Sequence, residues 1–393
     1  MERGPLDAMQ FVLAAGGTGG HMIPAHALAA ELRSRGHGVL LITDERGRRI
    51  PGLFDGVPIE VLQAGRITRN PIALVKGVAS ILAGRRAARA LYRRGRPDAV
   101  IGFGGYPAFP ALLAAGSMGI PTVLHEQNAV LGRVNRLLAG QARAIATAYE
   151  RIERLKPAHW AKCVLVGNPV RAAVVRLGEQ PFPPFDEFSP LKILITGGSQ
   201  GATVLGRVVP RGFAALDPSL RHRLQIVQQC RPDDIELVRE AYRQLQIPAE
   251  LTTYIDDMPA KLGDAQLVIG RAGASTIAEL TAAGRPAILI PLPIATDDHQ
   301  TVNAREMARA GGARMIPQDQ FTPEALARQI EALAADPEAL ANAAARALSV
   351  GRPRAAQDLA DLVERIADRQ APLVVGAAGS SASLGLAPAG AAA

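Results

Sequence analysis

Cysteine and aromatic residues are scarce in this chain of 393 residues. Its two cysteines, Cys163 and Cys230, lie far apart and form neither a disulfide framework nor a metal-binding pattern, so we expect a reducing compartment. Aromatic residues make up 4% of the chain, and without a platform for base stacking we expect no nucleic-acid partner. No Asp-x-Asp pair occurs to hold a divalent ion, so we expect neither a metal nor a cofactor.

Acidic residues are absent between positions 61 and 97, where nine basic residues lie. Since the formal net charge of the chain is +8, the basic character is concentrated in this segment. Apolar residues at helical spacing lie beside these cations, which is typical of a helix that docks on anionic lipid. A core helix with an arginine-rich exposed end is the alternative. We expect the lipid-facing residues to be Ile72, Val75, Lys76, Leu82, Arg85 and Arg86.

A recognisable secretory signal is also missing, because the first apolar run is short and passes directly into glycines. Residues 99–124 are uncharged and long enough to cross a bilayer. Glycines and prolines interrupt this stretch repeatedly, so we predict a strand, a glycine loop, a helix and a second strand in a globular core.

Strand-like and helix-like runs alternate along most of the chain, which predicts parallel sheets joined by crossover helices. The length suits two domains, and each half begins with a strand and a glycine turn. We therefore predict an α/β protein with two doubly wound, Rossmann-like domains facing a cleft. The predicted strands cover residues 11–15, 38–43, 99–102, 121–124, 162–166, 191–196, 223–228, 266–269 and 286–290.

The domain boundaries follow from the proline-rich stretch at residues 181–185, which continues neither a helix nor a strand. We predict an N-terminal domain over residues 9–170, a linker over 171–190 and a C-terminal domain over 191–353. A further helix is expected over residues 354–367. Residues 1–8, which precede Met9, are expected to be a dispensable extension or a misassigned start. The uncharged Ala, Gly and Ser-rich tail at 371–393 is expected to be disordered.

The sequence Gly16-Gly17-Thr18-Gly19-Gly20-His21 is the most informative motif of the chain. It follows a predicted strand and precedes a helix expected over residues 25–33, with Pro24 in its first turn. Backbone N–H groups and the helix dipole form an anion site at such a turn, and the histidine adds a group that titrates near neutral pH. A dinucleotide cofactor is the alternative, but its fingerprint requires a third glycine where this chain has Met22.

Two further segments, at residues 102–106 and 125–128, follow predicted strands of the first half. Ligands of open α/β sheets bind beyond the carboxyl ends of strands. A glycine loop beside a polar quartet therefore indicates an acceptor with phosphates and hydroxyls. For residues 125–128 alone, an ordinary helix start capped by Asn128 is an equal alternative.

In the second half, residues 271–276 lead from a predicted strand into a helix that carries Glu279. A helix N-terminus flanked by Arg271 suits a diphosphate, and Glu279 is placed to accept hydrogen bonds from a ribose diol. A capped helix with a surface glutamate is the alternative. Further on, Gln300 and Asn303 share a helix face, an arrangement suited to sugar hydroxyls.

Taken in order, eight segments over about residues 10–365 resemble the MurG family of glycosyltransferases. They are residues 16–21, 102–106, 125–128, 167–171, 197–201, 254–258, 271–279 and 300–303. The resemblance implies a GT-B fold, with the helix at 354–368 packing back on the first domain. It also implies inverting transfer of N-acetylglucosamine from UDP-N-acetylglucosamine to a lipid-linked muramyl pentapeptide during peptidoglycan synthesis.

The resemblance further implies roles for individual residues. His21 is the first candidate for the general base and Glu126 the second. The acceptor pyrophosphate is expected at Gly16, Gly17, Gly104, Gly105 and Tyr106. The UDP-sugar is expected at Thr18, Gly19, Gly20, Asn128, Arg171, Ser199, Gln200, Ile255, Ala274, Ser275, Thr276, Glu279, Gln300 and Asn303.

Within the expected donor site, the backbone of Ile255 meets uracil, and Ser199 and Arg171 contact the diphosphate. The chain departs from some relatives at His299 and Ser275, which affects the expected sugar contacts.

The implied partners are UDP-N-acetylglucosamine, the lipid-linked muramyl pentapeptide, the anionic inner-membrane surface and other cell-wall synthesis proteins. The implied location is peripheral, on the cytoplasmic face of the bacterial inner membrane. Two alternatives stay open: another GT-B enzyme, such as a lipid glycosyltransferase or a UDP-N-acetylglucosamine epimerase, and a nucleotide-cofactor dehydrogenase.

Overall fold

The computed structural model describes residues 8–17, 19–50, 53–63, 65, 71–186, 188–198 and 201–368, without the side chains of residues 71–74, 296 and 337. Its strands form two sheets. The first contains β1 (Gln10–Ala14), β2 (Gly38–Thr43), β3 (Ile59–Val61), β4 (Ala99–Gly102), β5 (Thr122–Glu126), β6 (Ala144–Thr147) and β7 (Cys163–Leu165). The second contains β8 (Leu191–Thr196), β9 (Leu224–Gln229), β10 (Ala249–Thr252), β11 (Leu267–Gly270), β12 (Ala287–Leu289) and β13 (Ala313–Met315).

The helices connect these strands and cover both faces of each sheet. They are α1 (Gly19–Ser34), α2 (Glu45–Arg48), α3 (Pro71–Arg94), α4 (Ala108–Ser117), α5 (Arg133–Leu138), α6 (Ala172–Gly178), α7 (Thr203–Ala214), α8 (Pro218–Arg221), α9 (Ile235–Gln244), α10 (Met258–Asp264), α11 (Ala274–Ala283), α12 (His299–Ala310), α13 (Pro323–Ala334), α14 (Pro337–Ser349) and α15 (Ala355–Ala367). Short 3-10 helices lie at Pro157–Lys162, Thr296–Asp298 and Gln318–Gln320.

Both sheets are parallel and share one topology. The strand order is β3-β2-β1-β4-β5-β6-β7 in the first sheet and β10-β9-β8-β11-β12-β13 in the second. Each order reverses direction once, between β1 and β4 and between β8 and β11, and each reversal opens a crevice at the carboxyl ends of the strands. This arrangement confirms the predicted fold class of two Rossmann-like domains.

The central strands form because their sequences are continuous apolar runs that are buried on both faces. All four residues of β4 and of β11 are buried, as expected for parallel strands covered by helices on both sides. The predicted strands lie within two residues of observed ones at each end, and residues 99–124 form β4, α4 and β5. The short strands β3, β6, β10 and β13 were not predicted.

The first helix begins earlier than the sequence suggested. We expected it near residue 25, but α1 starts at Gly19, so that Gly20 and His21 lie in its first turn and Pro24 lies inside it. Pro24 is the sixth residue of α1, so the helix lacks the N–H that would otherwise bond the carbonyl oxygen of Gly20. The anion-binding end of α1 therefore carries the histidine itself.

The last helix, α15, packs against the first sheet. Leu359, Val363 and Ile366 belong to the same buried cluster as Phe11 and Leu13 of β1. Polar contacts also attach it: Arg35 at the end of α1 donates to Asp361 at 2.6 Å and to Glu364 at 2.9 Å. The first domain thus contains both the beginning and the end of the described chain.

The segment after β7 packs differently from a free linker. Val170, just before α6, and Val174 of α6 lie in a buried cluster with residues of the second sheet, including Leu194 and Val268. By packing, α6 therefore belongs to the second domain.

Candidate functional site

The crevice of the first sheet is lined by two glycine loops in close contact. Gly17 follows β1 with φ of 88°, and Gly104 follows β4 with φ of 88°, a backbone region that side chains disfavour. A Cβ on Gly16 would lie 2.4 Å from Pro107 Cγ, and a Cβ on Gly105 would lie 2.8 Å from the Gly16 oxygen. Only glycine allows this packing, so the two loops lie in direct contact.

His21 lies beside both loops. Its Nδ1 is 3.2 Å from the carbonyl oxygen of Gly16. Because a carbonyl oxygen only accepts hydrogen bonds, Nδ1 carries the proton, and Nε2 is the basic nitrogen. A Cβ on Gly104 would lie 3.1 Å from Nε2, so any larger residue at position 104 would crowd this nitrogen.

Burial keeps the His21 imidazole neutral. It lowers the pKa of His21 from 6.5 to about 4, and the charge of Asp44 opposes this shift. Asp44 also fixes the local backbone, since its Oδ1 accepts hydrogen bonds from Gly47 N at 2.9 Å and Gly17 N at 3.3 Å. At pH 7 the side chain is therefore present in the form that accepts a proton.

Glu126, the second candidate for the base, has its oxygens occupied. Oε1 accepts hydrogen bonds from the backbone and side-chain nitrogens of Asn128, at 3.1 and 3.2 Å. Oε2 accepts from Gly132 N at 2.7 Å and from Asn135 Nδ2 at 2.9 Å. Burial raises the pKa of the Glu126 carboxyl, and these hydrogen bonds oppose the rise. This carboxylate fixes the loop after β5.

His125 has both ring nitrogens occupied. Nε2 lies 3.0 Å from the Gly167 oxygen and donates to it, and Nδ1 accepts from the Gln127 amide at 2.9 Å. Burial lowers the pKa of His125 to about 4. The ring is therefore neutral and holds the end of β5 against the chain that leaves the first domain.

The crevice of the second sheet is built around the N-terminus of α11. Ala274, Ser275 and Thr276 form its first turn, after Gly273 in extended conformation. The free N–H groups of this turn and the helix dipole favour an anion.

Beside α11, Arg171 Nη2 and Glu279 Oε1 form an ion pair of 2.7 Å. Burial raises the pKa of the Glu279 carboxyl, and the charge of Arg171 opposes the rise. Two residues expected separately at the diphosphate and the ribose are therefore held together.

The sugar-contact candidates divide into two kinds. Gln300 Oε1 accepts a hydrogen bond from Leu292 N at 3.0 Å, which leaves its NH₂ group as a donor. Asn303 is fully buried: its Oδ1 accepts from Ala129 N at 2.9 Å and its Nδ2 donates to Asn128 Oδ1 at 3.0 Å. The side chain of Asn303 thus joins the two domains, and its expected sugar contact, like that of Asn128, stays a prediction.

The two crevices face each other across short contacts. Ser275 Oγ lies 3.4 Å from the Gly20 oxygen, so the N-terminal ends of α11 and α1 meet. Asp297, ahead of α12, pairs with Arg136 and, at 2.9 Å, with Arg154 of the first domain. Asp297 and Asp298 have positive φ values of 58° and 53°, so these contacts hold a strained turn.

Neither Asp297 nor Asn135 was assigned a role from the sequence. Asp297 lies three residues before Gln300, but its arginine partners are 161 and 143 positions away in the chain. No local sequence signal indicates such a pair.

The basic segment forms α3, whose exposed side is apolar. Gly77, Ile81, Ala88 and other residues at helical spacing are buried, whereas Val75, Val78 and Leu82 are 69%, 44% and 49% exposed. Lys76 and Arg86 are exposed beside them, and Arg85 is half-buried. No helix among the described residues is long and apolar enough to span a membrane.

Several expected site residues lie outside the description. Thr18, Ser199, Gln200 and the side chain of Ile72 are not described, and the same holds for the tail at residues 371–393. Ile255 is buried and Tyr106 follows the second glycine loop. Among the described residues, no group of three His, Cys, Asp or Glu side chains is arranged to hold a metal ion.

Residues 11–147 match the glycosyltransferase family 28 N-terminal domain, and residues 192–366 match its C-terminal domain. A relative from Erythrobacter litoralis is 62% identical over 354 residues, which cover 90% of this chain and 89% of the relative. It is a UDP-N-acetylglucosamine–N-acetylmuramyl-(pentapeptide) pyrophosphoryl-undecaprenol N-acetylglucosamine transferase. A Zymomonas mobilis protein of the same name is 58% identical, covering 91% of this chain and 92% of its own.

The crystal structure of Acinetobacter baumannii MurG is similar to this one, with a TM-score of 0.71 and 32% identity over 91% of this chain and 99% of that one. The chain belongs to the MurG family. The resemblance seen in eight separate segments is thus confirmed over most of the described sequence. A Listeria monocytogenes protein described as a putative UDP-N-acetylglucosamine 2-epimerase, at 16% identity and a TM-score of 0.63, shares the fold.

Membership of the MurG family argues against the dehydrogenase alternative, as does the missing third glycine at Met22. Both family 28 domains are matched, and each of them contains one of the two crevices.

Proposed function

We propose that this protein transfers N-acetylglucosamine from UDP-N-acetylglucosamine to the C4 hydroxyl of the muramyl residue of undecaprenyl-pyrophosphoryl-N-acetylmuramyl pentapeptide. This reaction converts lipid I to lipid II in peptidoglycan synthesis. The observation that carries the proposal is the contact of Ser275 with Gly20. It places the anion-binding end of α11 next to the turn that carries the basic nitrogen of His21.

The proposed reaction inverts the anomeric carbon. The acceptor C4 oxygen attacks that carbon while the bond to the β-phosphate oxygen breaks and UDP leaves. The hydroxyl proton passes to His21 Nε2, which is unprotonated because Nδ1 donates to the Gly16 oxygen. Negative charge grows on the leaving diphosphate, and the N-terminus of α11 with Arg171 stabilises it.

The remaining residues take supporting roles in this proposal. Glu279 holds the ribose while paired with Arg171, and Ile255 lies at the uracil. Gln300 contacts the sugar through its NH₂ group. Glu126 acts by fixing the loop that carries Asn128. The acceptor pyrophosphate binds at the two glycine loops, beside Gly16, Gly17, Gly104, Gly105 and Tyr106.

We assign the acceptor and membrane functions to residues 9–170 with the helix at 354–368, and the donor function to residues 191–353. The exposed apolar side of α3 with its neighbouring cations supports peripheral binding to an anionic membrane. We place the protein on the cytoplasmic face of the inner membrane, where the nucleotide sugar is available, in contact with other proteins of cell-wall synthesis.

The transfer reaction is tested with labelled UDP-N-acetylglucosamine and the lipid-linked muramyl pentapeptide. We expect labelled lipid product and UDP only when both substrates are present. Release of UDP without the acceptor would instead support a hydrolase or an epimerase.

Membrane docking is tested with the variant V75E/L82E and vesicles that contain anionic lipid. We expect the variant to lose vesicle binding and to keep activity toward a short-chain, water-soluble acceptor. The matched control L237E changes an exposed leucine of the second domain, 66% exposed, and should bind like the unmodified protein. Equal vesicle binding by all three proteins would contradict docking through α3.

A further inference from the structure

Arg271 occupies an unusual position for an arginine at a proposed diphosphate site. It follows β11 directly and is only 8% exposed. Its Nη1 donates to the carbonyl oxygens of Ile290 and Pro291, at 3.0 and 3.2 Å, and its Nη2 donates to Gln318 Oε1 at 2.6 Å. All three partners are neutral oxygens, and both terminal nitrogens are engaged. The guanidinium is therefore committed to protein groups instead of pointing at the helix N-terminus.

These contacts join the ends of three neighbouring strands. Ile290 and Pro291 leave β12, and Gln318 lies in the 3-10 helix after β13. Arginine suits this task because its planar group donates in several fixed directions at once, which a lysine ammonium cannot reproduce in the same geometry. These hydrogen bonds fix the position of the backbone that leaves β12.

The next residue of that chain contacts the proposed sugar site. Leu292 N donates to Gln300 Oε1 at 3.0 Å. Because a backbone N–H can only donate, the amide oxygen must face Leu292, and the NH₂ group must face the other way. Gln300 shares a helix face with Asn303, which contacts the first domain. The free donor of Gln300 is therefore set on the side of α12 that faces the cleft.

We infer that Arg271 is a positioning residue for sugar recognition: it holds the exit of β12 so that Leu292 fixes the amide of Gln300. This inference rests on the proposed function, since the ligand of Gln300 is taken to be the sugar of the nucleotide donor. The inference assigns the two parts of the nucleotide sugar to different residues. The nucleotide and diphosphate bind α11 and Arg171, whereas the sugar depends on Arg271 through Gln300.

The test compares UDP with UDP-N-acetylglucosamine, each titrated by calorimetry into the full chain. For Arg271→Lys we expect UDP-N-acetylglucosamine to bind roughly tenfold more weakly, as for the loss of one or two hydrogen bonds, and UDP to bind within about twofold of the unmodified protein. Gln300→Ala should likewise weaken the binding of UDP-N-acetylglucosamine and leave that of UDP within about twofold. The double variant should be no weaker than the weaker single variant, because both changes remove one contact.

The matched control is Arg285→Lys. Arg285 is also buried and donates only to carbonyl oxygens, including Leu262 of α10 at 2.7 Å and Ala283 at 2.8 Å, but it follows the C-terminal end of α11, opposite the N-terminus at the proposed site. Arg285→Lys should lower thermal stability without changing the ratio of the affinities for UDP and UDP-N-acetylglucosamine. If Arg271→Lys does not fold, Gln318→Leu removes one partner of the guanidinium and should give a smaller split in the same direction.

An equal loss of UDP and UDP-N-acetylglucosamine binding in Arg271→Lys would overturn the inference, because the guanidinium would then act on the diphosphate. Additive losses in the double variant would also overturn it. Failure of the proposed function is a different result: the unmodified protein would then bind neither ligand or transfer no sugar to the lipid acceptor.

Discussion

The crevices of the two sheets share a topology but differ in chemistry. The first combines glycine loops with a neutral histidine, His21, and its neighbouring charge is the carboxylate of Asp44. The second combines a helix N-terminus with the Arg171–Glu279 ion pair. The same strand order therefore provides two places where loops converge, and the residues at the strand ends give each place its chemistry: a basic nitrogen in the first, and a helix N-terminus beside an arginine in the second.

The largest effect on the first crevice is expected from removing the proposed base. His21→Ala should lower kcat by about 10²- to 10⁴-fold, because a positioned general base contributes that much, and leave UDP-N-acetylglucosamine binding unchanged. Transfer of labelled sugar and calorimetric titration measure the two effects. The control His222→Ala changes an exposed histidine of the second domain and should have full activity. A kcat within a few-fold of the unmodified protein would exclude His21 as the base.

Acid should destabilise the first domain more than the second. The pKa of His21 and of His125 is about 4 in the folded chain and near 6.5 in the unfolded chain, so the unfolded chain binds more protons between these values. The free energy of unfolding is therefore undiminished above pH 6.5 and falls as the pH falls toward 4, by up to about 3 kcal/mol for each histidine.

Hydrogen exchange at a series of pH values measures this effect in each domain. Amides of β1 and β5 should lose protection at higher pH than amides of β8 and β11. His125→Gln should reduce the pH dependence of the first domain. Parallel loss of protection in both sheets would contradict this account.

A change at the Arg171–Glu279 ion pair tests whether the second crevice binds the donor. Glu279→Gln removes the carboxylate charge that pairs with Arg171 and leaves a weaker hydrogen bond from the guanidinium, so we expect UDP to bind roughly tenfold more weakly, with little change in kcat at saturating donor. Glu240→Gln is the control, because Glu240 pairs with the exposed Arg243 on α9. Unchanged or tighter UDP binding would show that the pair does not hold the donor.

The smallest expected effect concerns the connection between the crevices. Asp297→Asn weakens the pairs with Arg136 and Arg154, and since partly exposed ion pairs contribute up to about 1 kcal/mol each, KM for the nucleotide sugar should rise only a few-fold. Small-angle scattering should show a larger radius of gyration. Glu250→Gln, which breaks a pair with Lys261 inside the second domain, should change neither quantity.

The central strands could be predicted from the sequence because their apolar runs are continuous. The predicted ranges for β2, β4 and β8 agree with the observed ones at both ends. The strands β3 and β13 were missed because they are three residues long and carry the charged residues Glu60 and Arg314. The start of α1 was missed because Gly19 and Gly20 are poor helix formers, whose placement here is decided by tertiary contacts.

The candidate site was recognisable wherever its residues lie at strand ends. Gly104 lies in a loop after a strand, whereas His21 and Ser275 lie in the first turns of the helices that follow such loops. The structure brings all three to one cleft. The pairing of Asn303 with Asn128 was not foreseeable, because it joins residues 175 positions apart. The sugar contacts of both residues were implied by the family resemblance and stay predictions.

The return of α15 to the first sheet has a consequence for biosynthesis. Leu359, Leu362 and Val363 complete the core around Phe11, yet more than three hundred residues are synthesised between them. Domains generally fold as units while the chain leaves the ribosome, but this first domain must wait with an open hydrophobic face until the second has been made. A released chain that ends after residue 350 would therefore contain every strand of both sheets but lack the helix that covers Phe11. Exposed apolar surface of this kind promotes aggregation and is a natural substrate for chaperones.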